Sequence, residues 1–270
     1  DDHLTNTPRQ VQLFQAMGAS LPRFAHLPLI LGEDRAPLSK RHGATAVRAY
    51  REDGYLPDAL MNFLARLGWA HGDQEIFSWQ ELAEKFKLED VGKSAGVFNS
   101  EKLQWLNAHY LNERDPHQLA QEVKPFLPQT ESPLPEDNWL AQMVTTLQPR
   151  AKTLVELGEQ STFYLSDSIT PEEKAAKKFL KESSLALLSR LRERLGGLAA
   201  WDEPVLHGAF SALMEDEQVK LGKIAQPVRV ALTGKTASPG IFEVMEVLGK
   251  ERCLTRIDRV LTEPSVASES

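Results

Sequence analysis

The 270-residue chain has a single cysteine, Cys253, which rules out an internal disulfide framework and cannot alone build a zinc site. It has no run of about 18 apolar residues, so no segment has the form of a membrane-spanning helix. The start, Asp1-Asp2-His3, carries neither the basic opening nor the apolar stretch of a secretory signal. A cytoplasmic protein is the expectation. A cationic surplus is missing too: 31 Lys and Arg against 38 Asp and Glu leave a net charge of −7. That counts against a general, sequence-blind nucleic-acid binder. It leaves room for a protein that reads one RNA, because phosphate attraction depends on where cations sit and not on their sum. Strand-like alternation is scarce, and neither repeats nor low-complexity tracts occur.

What the chain does have is helical periodicity. Pro57 to Trp69 places Leu60, Phe63, Leu64 and Leu67 on one face, with Pro57 at a first-turn position and Gly68 as the stop. Ser78 followed by Glu81 is a capping box opening a helix through Phe86. Asn99 caps another, carrying Leu103, Leu106 and Tyr110, and Pro116 opens one reaching Leu127. Pro128 to Asp137 reads as a surface loop, and helical spacing resumes from Trp139 to Leu157. Thr170-Pro171-Glu172-Glu173 has the form of a helix start: a capping hydroxyl, a first-turn proline and two acids. Further helices are expected to Leu195, from Glu203 to Asp216, from Gly222 to Thr233 and, as one long element, from Gly240 to Leu261. The best strand candidate is Leu27 to Leu31. The fold class expected is mainly α, with a small mixed α/β patch near the start.

Leu38-Ser39-Lys40-Arg41-His42-Gly43 gathers two cations, a hydroxyl and an imidazole beside a glycine. Such a loop can grip polyphosphate, with lysine as a mobile ammonium and serine and backbone amides as shorter donors. A Ser-Lys-Arg tripeptide alone also fits any solvated loop. Its neighbours change that reading. The run Asp2-His3-Leu4-Thr5-Asn6-Thr7-Pro8-Arg9-Gln10, then Phe24-Ala25-His26-Leu27-Pro28-Leu29-Ile30-Leu31, then this loop, resembles bacterial glutamyl-tRNA synthetases in order and spacing. The resemblance continues through Gly54-Tyr55-Leu56-Pro57-Asp58-Ala59-Leu60 and Phe98-Asn99-Ser100-Glu101-Lys102-Leu103-Gln104-Trp105-Leu106-Asn107. Gln226-Pro227-Val228-Arg229 and Ser238-Pro239-Gly240 extend it over essentially the whole chain.

The resemblance implies a class I synthetase, in which ATP, with Mg2+, activates glutamate as an adenylate that is then passed to tRNA-Glu. It implies a monomer with no membrane partner. Lys40 matches the second lysine of the family's phosphate loop, with Ser39 and Arg41 beside it, and His3 falls where the family lines the adenine pocket. Pro37 departs from the pattern, standing where many members carry the loop's first lysine. No His-x-Gly-His element is present, so a fragment lacking the nucleotide-binding half, inactive alone, is expected. The regions implied are 1–24 as a catalytic remnant, 25–115 as a stem-contact domain, and 116–167 and 168–270 as two all-helical anticodon-binding subdomains.

By the same resemblance Arg150, Arg229, Ser238, Pro239 and Ile241 contact the anticodon. Lys102 and Asn107 lie where the family touches the tRNA stem. Arg150 matches the position that separates tRNA-Glu from tRNA-Gln, whose anticodons end in C and G. The residues themselves favour the core for Trp105 and solvated faces for Lys174, Lys177, Lys178, Lys181, Arg190, Arg192 and Arg194. A stand-alone tRNA-binding module without catalysis remains an alternative. A phosphotransferase using Lys40 and His42 would need a nucleotide fold absent from these motifs.

Overall fold

A computed structural model describes residues 1–39, 46–130 and 133–262. The chain divides into two compact units, Asp1–Glu113 with Lys152–Leu154, and Arg114–Ala151 with Val155–Ser270.

The first unit contains α1 (Thr7–Ala16), α2 (Val47–Glu52), α3 (Pro57–Arg66), α4 (Trp79–Lys85) and α5 (Ser100–Glu113). Its main core forms where α3 meets α5: Leu60, Phe63, Leu103 and Leu106 pack with Tyr50 and Phe98. The Phe63 and Phe98 rings meet edge to face at 4.8 Å. A smaller cluster joins Trp69, Phe77 and Leu82. The capping box at α4 forms as its sequence requires, with the Ser78 hydroxyl accepting from the Glu81 amide at 3.1 Å and the Glu81 carboxylate accepting from the Ser78 amide at 2.9 Å. Asn99 caps α5 through the Lys102 amide at 2.7 Å.

The strand expected at Leu27–Leu31 is a single bridge position. Leu31 pairs with Pro37 and with Val97, and no extended ladder forms among the described residues. The run does meet neighbours, with the Leu31 amide donating to the Gly96 carbonyl at 2.9 Å and the Leu31 carbonyl accepting from the Phe98 amide at 2.7 Å, but the pairing stops after these bonds and is too short to build a sheet. In the same stretch α1 buries none of its residues.

Two buried asparagines replace missing backbone partners in this unit. Asn107, 0% exposed, accepts from the Leu56 amide at 2.8 Å and donates to the Lys152 carbonyl at 2.5 Å. The Leu56 amide precedes α3, where no turn of helix is available to satisfy it. Asn62 accepts from the Phe77 amide at 2.6 Å and donates to the Glu75 carbonyl at 2.9 Å.

The second unit is entirely helical among its described elements: α6 (Pro116–Val123), α7 (Asp137–Leu147), α8 (Leu154–Gln160), α9 (Thr162–Leu165), α10 (Glu173–Phe179), α11 (Glu182–Gly196), α12 (Glu203–Glu217), α13 (Leu221–Thr233), α14 (Ile241–Leu248) and α15 (Lys250–Thr262). Helices α6 and α7 pack as a pair, and α11 packs on α12, α13 and α15. Gly158 lets α8 lie against the Phe126 carbonyl, a space any β-carbon would fill.

Three expectations change here. The last long helix is two, α14 and α15, broken at Gly249, whose φ of 79° lies outside the helical basin. The helix expected from Thr170 starts at Glu173, because the Glu172 amide is held by the Gly234 carbonyl at 2.9 Å and Thr170 makes no cap. Arg190, Arg192 and Arg194 are not merely solvated: they pair with Glu217, Asp258 and Asp216 on other helices. The Arg192–Asp258 pair is two-pronged, at 2.6 and 2.7 Å, and ties α11 to α15.

Arg256, 4% exposed, donates to the Leu232 carbonyl at the end of α13 and to the Ser166 carbonyl after α9, each at 2.6 Å. Burial pushes its pKa down to about 10, and the carbonyl ends of two helices take the place of a carboxylate.

Two outcomes follow. Asn107→Ala should cost the first unit about 2–4 kcal/mol, the penalty for leaving one buried donor and one buried acceptor unpaired, read by urea unfolding. The Glu81 carboxyl is held down to about 2, first by the Ser78 amide and then by Gln74 and Lys85. Its folded value lies below its ordinary 4.5. The stabilisation is therefore complete above that value and is lost as pH falls toward 2. Amide exchange at the start of α4 should rise across that window in the native chain and be insensitive to it in Glu81→Gln.

Candidate nucleic-acid interface

The residues singled out for anticodon contact fall in one unit and on neighbouring elements. Arg229 sits in the third turn of α13, with Pro227 inside the same helix. Its guanidinium is half-buried and turned onto the connection to α14. There Nη1 donates to the Ser238 carbonyl at 3.1 Å, the Pro239 carbonyl at 2.8 Å and the Ser238 hydroxyl. The Ser238 hydroxyl in turn donates to the Pro239 carbonyl at 2.9 Å. Helix α14 begins just beyond, with Glu243 reaching back to the Gly240 amide at 3.2 Å. Pro239 is buried and Ile241 is 5% exposed, so both anchor the turn more than they present a side chain.

Arg150 ends a short 3-10 turn, Gln148–Arg150, that follows α7, and its side chain is exposed. It is near enough to Arg229 for its charge to act there. Burial first, and the Arg150 charge second, lower the Arg229 pKa. Among the described residues neither arginine has a carboxylate partner. A positive charge that meets no carboxylate among the described residues is one that an incoming anion would favour.

Gln148 is buried, and its amide donates to the Arg114 carbonyl at 2.8 Å. The Arg150 carbonyl accepts from the Gln160 amide at 3.3 Å. Neither glutamine was singled out by the sequence, because each acts on a partner at a distance, 34 and 10 residues away respectively.

In the first unit the expected residues separate. Lys102 is exposed and pairs with Glu75 at 2.8 Å, and Arg66 reaches the same carboxylate at 2.7 Å. Asn107 is fully buried with its amide occupied by backbone, so it supports α3 and α5 and offers nothing to an outside ligand. Trp105, expected in the core, is 51% exposed and lies over the His109 ring. His3 is exposed, with its Nδ1 2.9 Å from the Asn6 amide. Of the phosphate loop, Ser39 is half-buried, while Lys40 and Arg41 lie outside the described residues. The lead-in is a tight turn. The Leu38 amide donates to the Ile30 carbonyl at 2.8 Å, the Gly32 amide to the Ala36 carbonyl at 2.8 Å, and Pro37 needs no amide at its bridge position. No group of three metal-ligating side chains occurs among the described residues.

The sequence of this chain groups it with the class I tRNA synthetases. Residues 118–261 match the model of the anticodon binding domain, and residues 1–105 match that of tRNA synthetases class I (E and Q), catalytic domain. Among curated proteins, the chain is 54% identical to the glutamate–tRNA ligase of Syntrophobacter fumaroxidans and 50% identical to that of Geobacter sulfurreducens. Each match covers 97% of this chain and 56% of the relative. A solved glutamate tRNA ligase from Elizabethkingia meningosepticum, in complex with its amino acid, superimposes with a TM-score of 0.81 at 29% identity. That superposition covers 97% of this chain and 55% of the other. The chain belongs to the glutamate–tRNA ligase family, and it spans about half the length of the curated relatives it matches.

The turn held by Arg229 has a direct check. Arg229→Met should remove the donor shared by Ser238 and Pro239 and raise amide exchange at Gly240 and Ile241 severalfold, leaving α11 and α15 unchanged; unchanged exchange at the turn would remove the anchoring role.

Proposed function

We propose that this chain is the tRNA-binding portion of a glutamate–tRNA ligase, reading tRNA-Glu through its second unit and discriminating against tRNA-Gln. The observation that carries the reading is the Ser238–Pro239 turn held by Arg229, with the exposed Arg150 in the same unit and no carboxylate partner for either among the described residues, inside the part that matches an anticodon-binding domain. Anticodon bases are unstacked, so their edges can be met directly by side chains. A guanidinium at Arg150 donates to the acceptors of a cytosine at the third anticodon position. A guanine there would bring its bulk and amino group against the same donors. Arg229 acts from behind, setting the Ser238–Pro239 turn whose backbone meets the neighbouring nucleotide.

In the first unit Lys102, exposed beside Trp105, is the contact to the tRNA stem, and Asn107 holds the helix that carries it. The regions are 1–24 from the catalytic domain, 25–115 for stem contact, and 116–167 and 168–270 for the anticodon. In the whole ligase Lys40, with Ser39 and Arg41, places positive charge where the phosphates of ATP develop negative charge, and His3 borders the adenine. ATP, Mg2+ and glutamate serve that reaction. The family's His-x-Gly-His-type element, which would approach the ATP phosphates, is not in this chain, and on that ground this chain alone leaves the activation step uncatalysed. The ligase works as a cytoplasmic monomer.

Direct binding to anticodon hairpins tests this. Affinity should fall as salt rises, with a logarithmic slope of about −0.7 per phosphate contacted. Arg150→Ala should reduce the preference for a hairpin ending in C over one ending in G by about tenfold, within the 1–3 kcal/mol of a good side-chain–base pairing. An unchanged preference would end the discrimination claim. In ATP–pyrophosphate exchange with glutamate and tRNA, the chain alone should be silent; activity would show the phosphate loop is not stranded.

A further inference from the structure

Arg150 can discriminate only if its side chain leaves the protein from a fixed place. It is the last residue of a 3-10 turn three residues long, which has too few internal hydrogen bonds to hold itself. Pro149 removes one more donor from that turn. Something outside the turn therefore has to fix it. Two side-chain amides stand in that role. Gln148, buried, donates to the Arg114 carbonyl at 2.8 Å and pins the start of the turn to the segment before α6. Gln160, at the end of α8, donates to the Arg150 carbonyl at 3.3 Å and pins its end. The two bonds lie on either side of the Arg150 α-carbon, and neither uses the guanidinium.

We infer that Gln148 and Gln160 are positioning residues for anticodon discrimination, bracing the turn so that the Arg150 guanidinium meets one base edge at a set angle and height. The inference rests on the reading of Arg150 given above. Glutamine suits the task because its amide donates without adding charge. A lysine or arginine at either place would also donate, but would add a third cation beside Arg150 and Arg229 and draw phosphate in a sequence-blind way. The bland role, a buried amide that only stabilises the fold, predicts equal losses for both RNAs. A positioning role predicts unequal ones, because a donor displaced by a fraction of an ångström loses the matched base and keeps the general attraction to phosphate.

The experiment compares two synthetic anticodon hairpins, identical except for C or G at the third anticodon position, bound to the full 270-residue chain and its variants. Gln148→Ala should lower the C-over-G affinity ratio by about threefold to tenfold, the range for one lost neutral hydrogen bond. Affinity for the G hairpin should stay within about twofold. In an Arg150→Ala background the same change should leave the ratio where Arg150→Ala alone puts it, since there is no guanidinium left to misplace. Gln160 is half-exposed, so Gln160→Ala keeps the fold even if Gln148→Ala does not, and it should shift the ratio in the same direction by a smaller factor. A foldable variant that weakens both hairpins equally, or that leaves the ratio unchanged, overturns the positioning role while Arg150 keeps its own. A native chain that shows no ratio at all overturns the reading of Arg150 and this inference together.

Discussion

A half-buried guanidinium that, among the described residues, meets only carbonyl and hydroxyl oxygens holds the Ser238–Pro239 turn, and the end of the second unit that carries the proposed chemistry is arranged around it. Burying a charge without a counter-ion is costly, and here only carbonyl and hydroxyl oxygens offset the loss of water. Arg150 makes matters worse by adding a second positive charge within range. A fold under selection for stability alone has cheaper solutions, and this chain uses one elsewhere: Arg192 meets Asp258 through two short bonds between α11 and α15. Arg256 shows a third arrangement, in which the carbonyl ends of two helices accept from a buried guanidinium that nothing outside needs to reach. Set beside those, the Arg150–Arg229 pair is the one cationic arrangement of the three that an incoming anion would improve.

The second unit supplies the stiffness that such a site requires. The Trp139 indole on the Val247 carbonyl at 2.7 Å ties α7 to α14, the Trp201 indole on the Met245 carbonyl at 2.8 Å ties the lead-in of α12 to α14, and partly exposed ion pairs from Arg190, Arg192 and Arg194 link α11 to α12 and α15. The first unit is built differently. Its core between α3 and α5 is braced by buried asparagines, while α1 and the extended residues after it remain largely uncovered. A segment that buries nothing contributes little to its own unit's stability, whatever its motifs contribute to chemistry.

Much of this architecture was legible in the residues. Ser78 with Glu81, Asn99 and Pro57 mark helix starts through local bonds, and local bonds are what spacing reports. The failures share a cause, which is that the deciding partner lies far away in sequence. Thr170 loses its capping role because Gly234 takes the neighbouring amide, and Leu27–Leu31 forms no strand because its pairing with the segments at Pro37 and Val97 ends after isolated bridges. Gly249 divides α14 from α15 through a backbone conformation that apolar periodicity on either side conceals. The candidate site was legible only through family resemblance: Arg150 and Arg229 have nothing in their immediate neighbours to separate them from Arg190 or Arg194, which proved to be ion-paired. Gln148 was invisible for the same reason as Gln160, since a glutamine's importance depends on which distant carbonyl it reaches. Trp105 went the other way, an aromatic that composition places in the core and geometry leaves on the surface.

The central claim is that RNA is read where Arg150, Arg229 and the Ser238–Pro239 turn come together. Hydrogen exchange of the 270-residue chain, with and without an anticodon hairpin specific for glutamate, tests it most directly. The account expects protection concentrated in residues 148–160 and 234–241, with little change along α11 and α15. Protection absent from both segments while the hairpin is bound, or confined to the first unit, would contradict it.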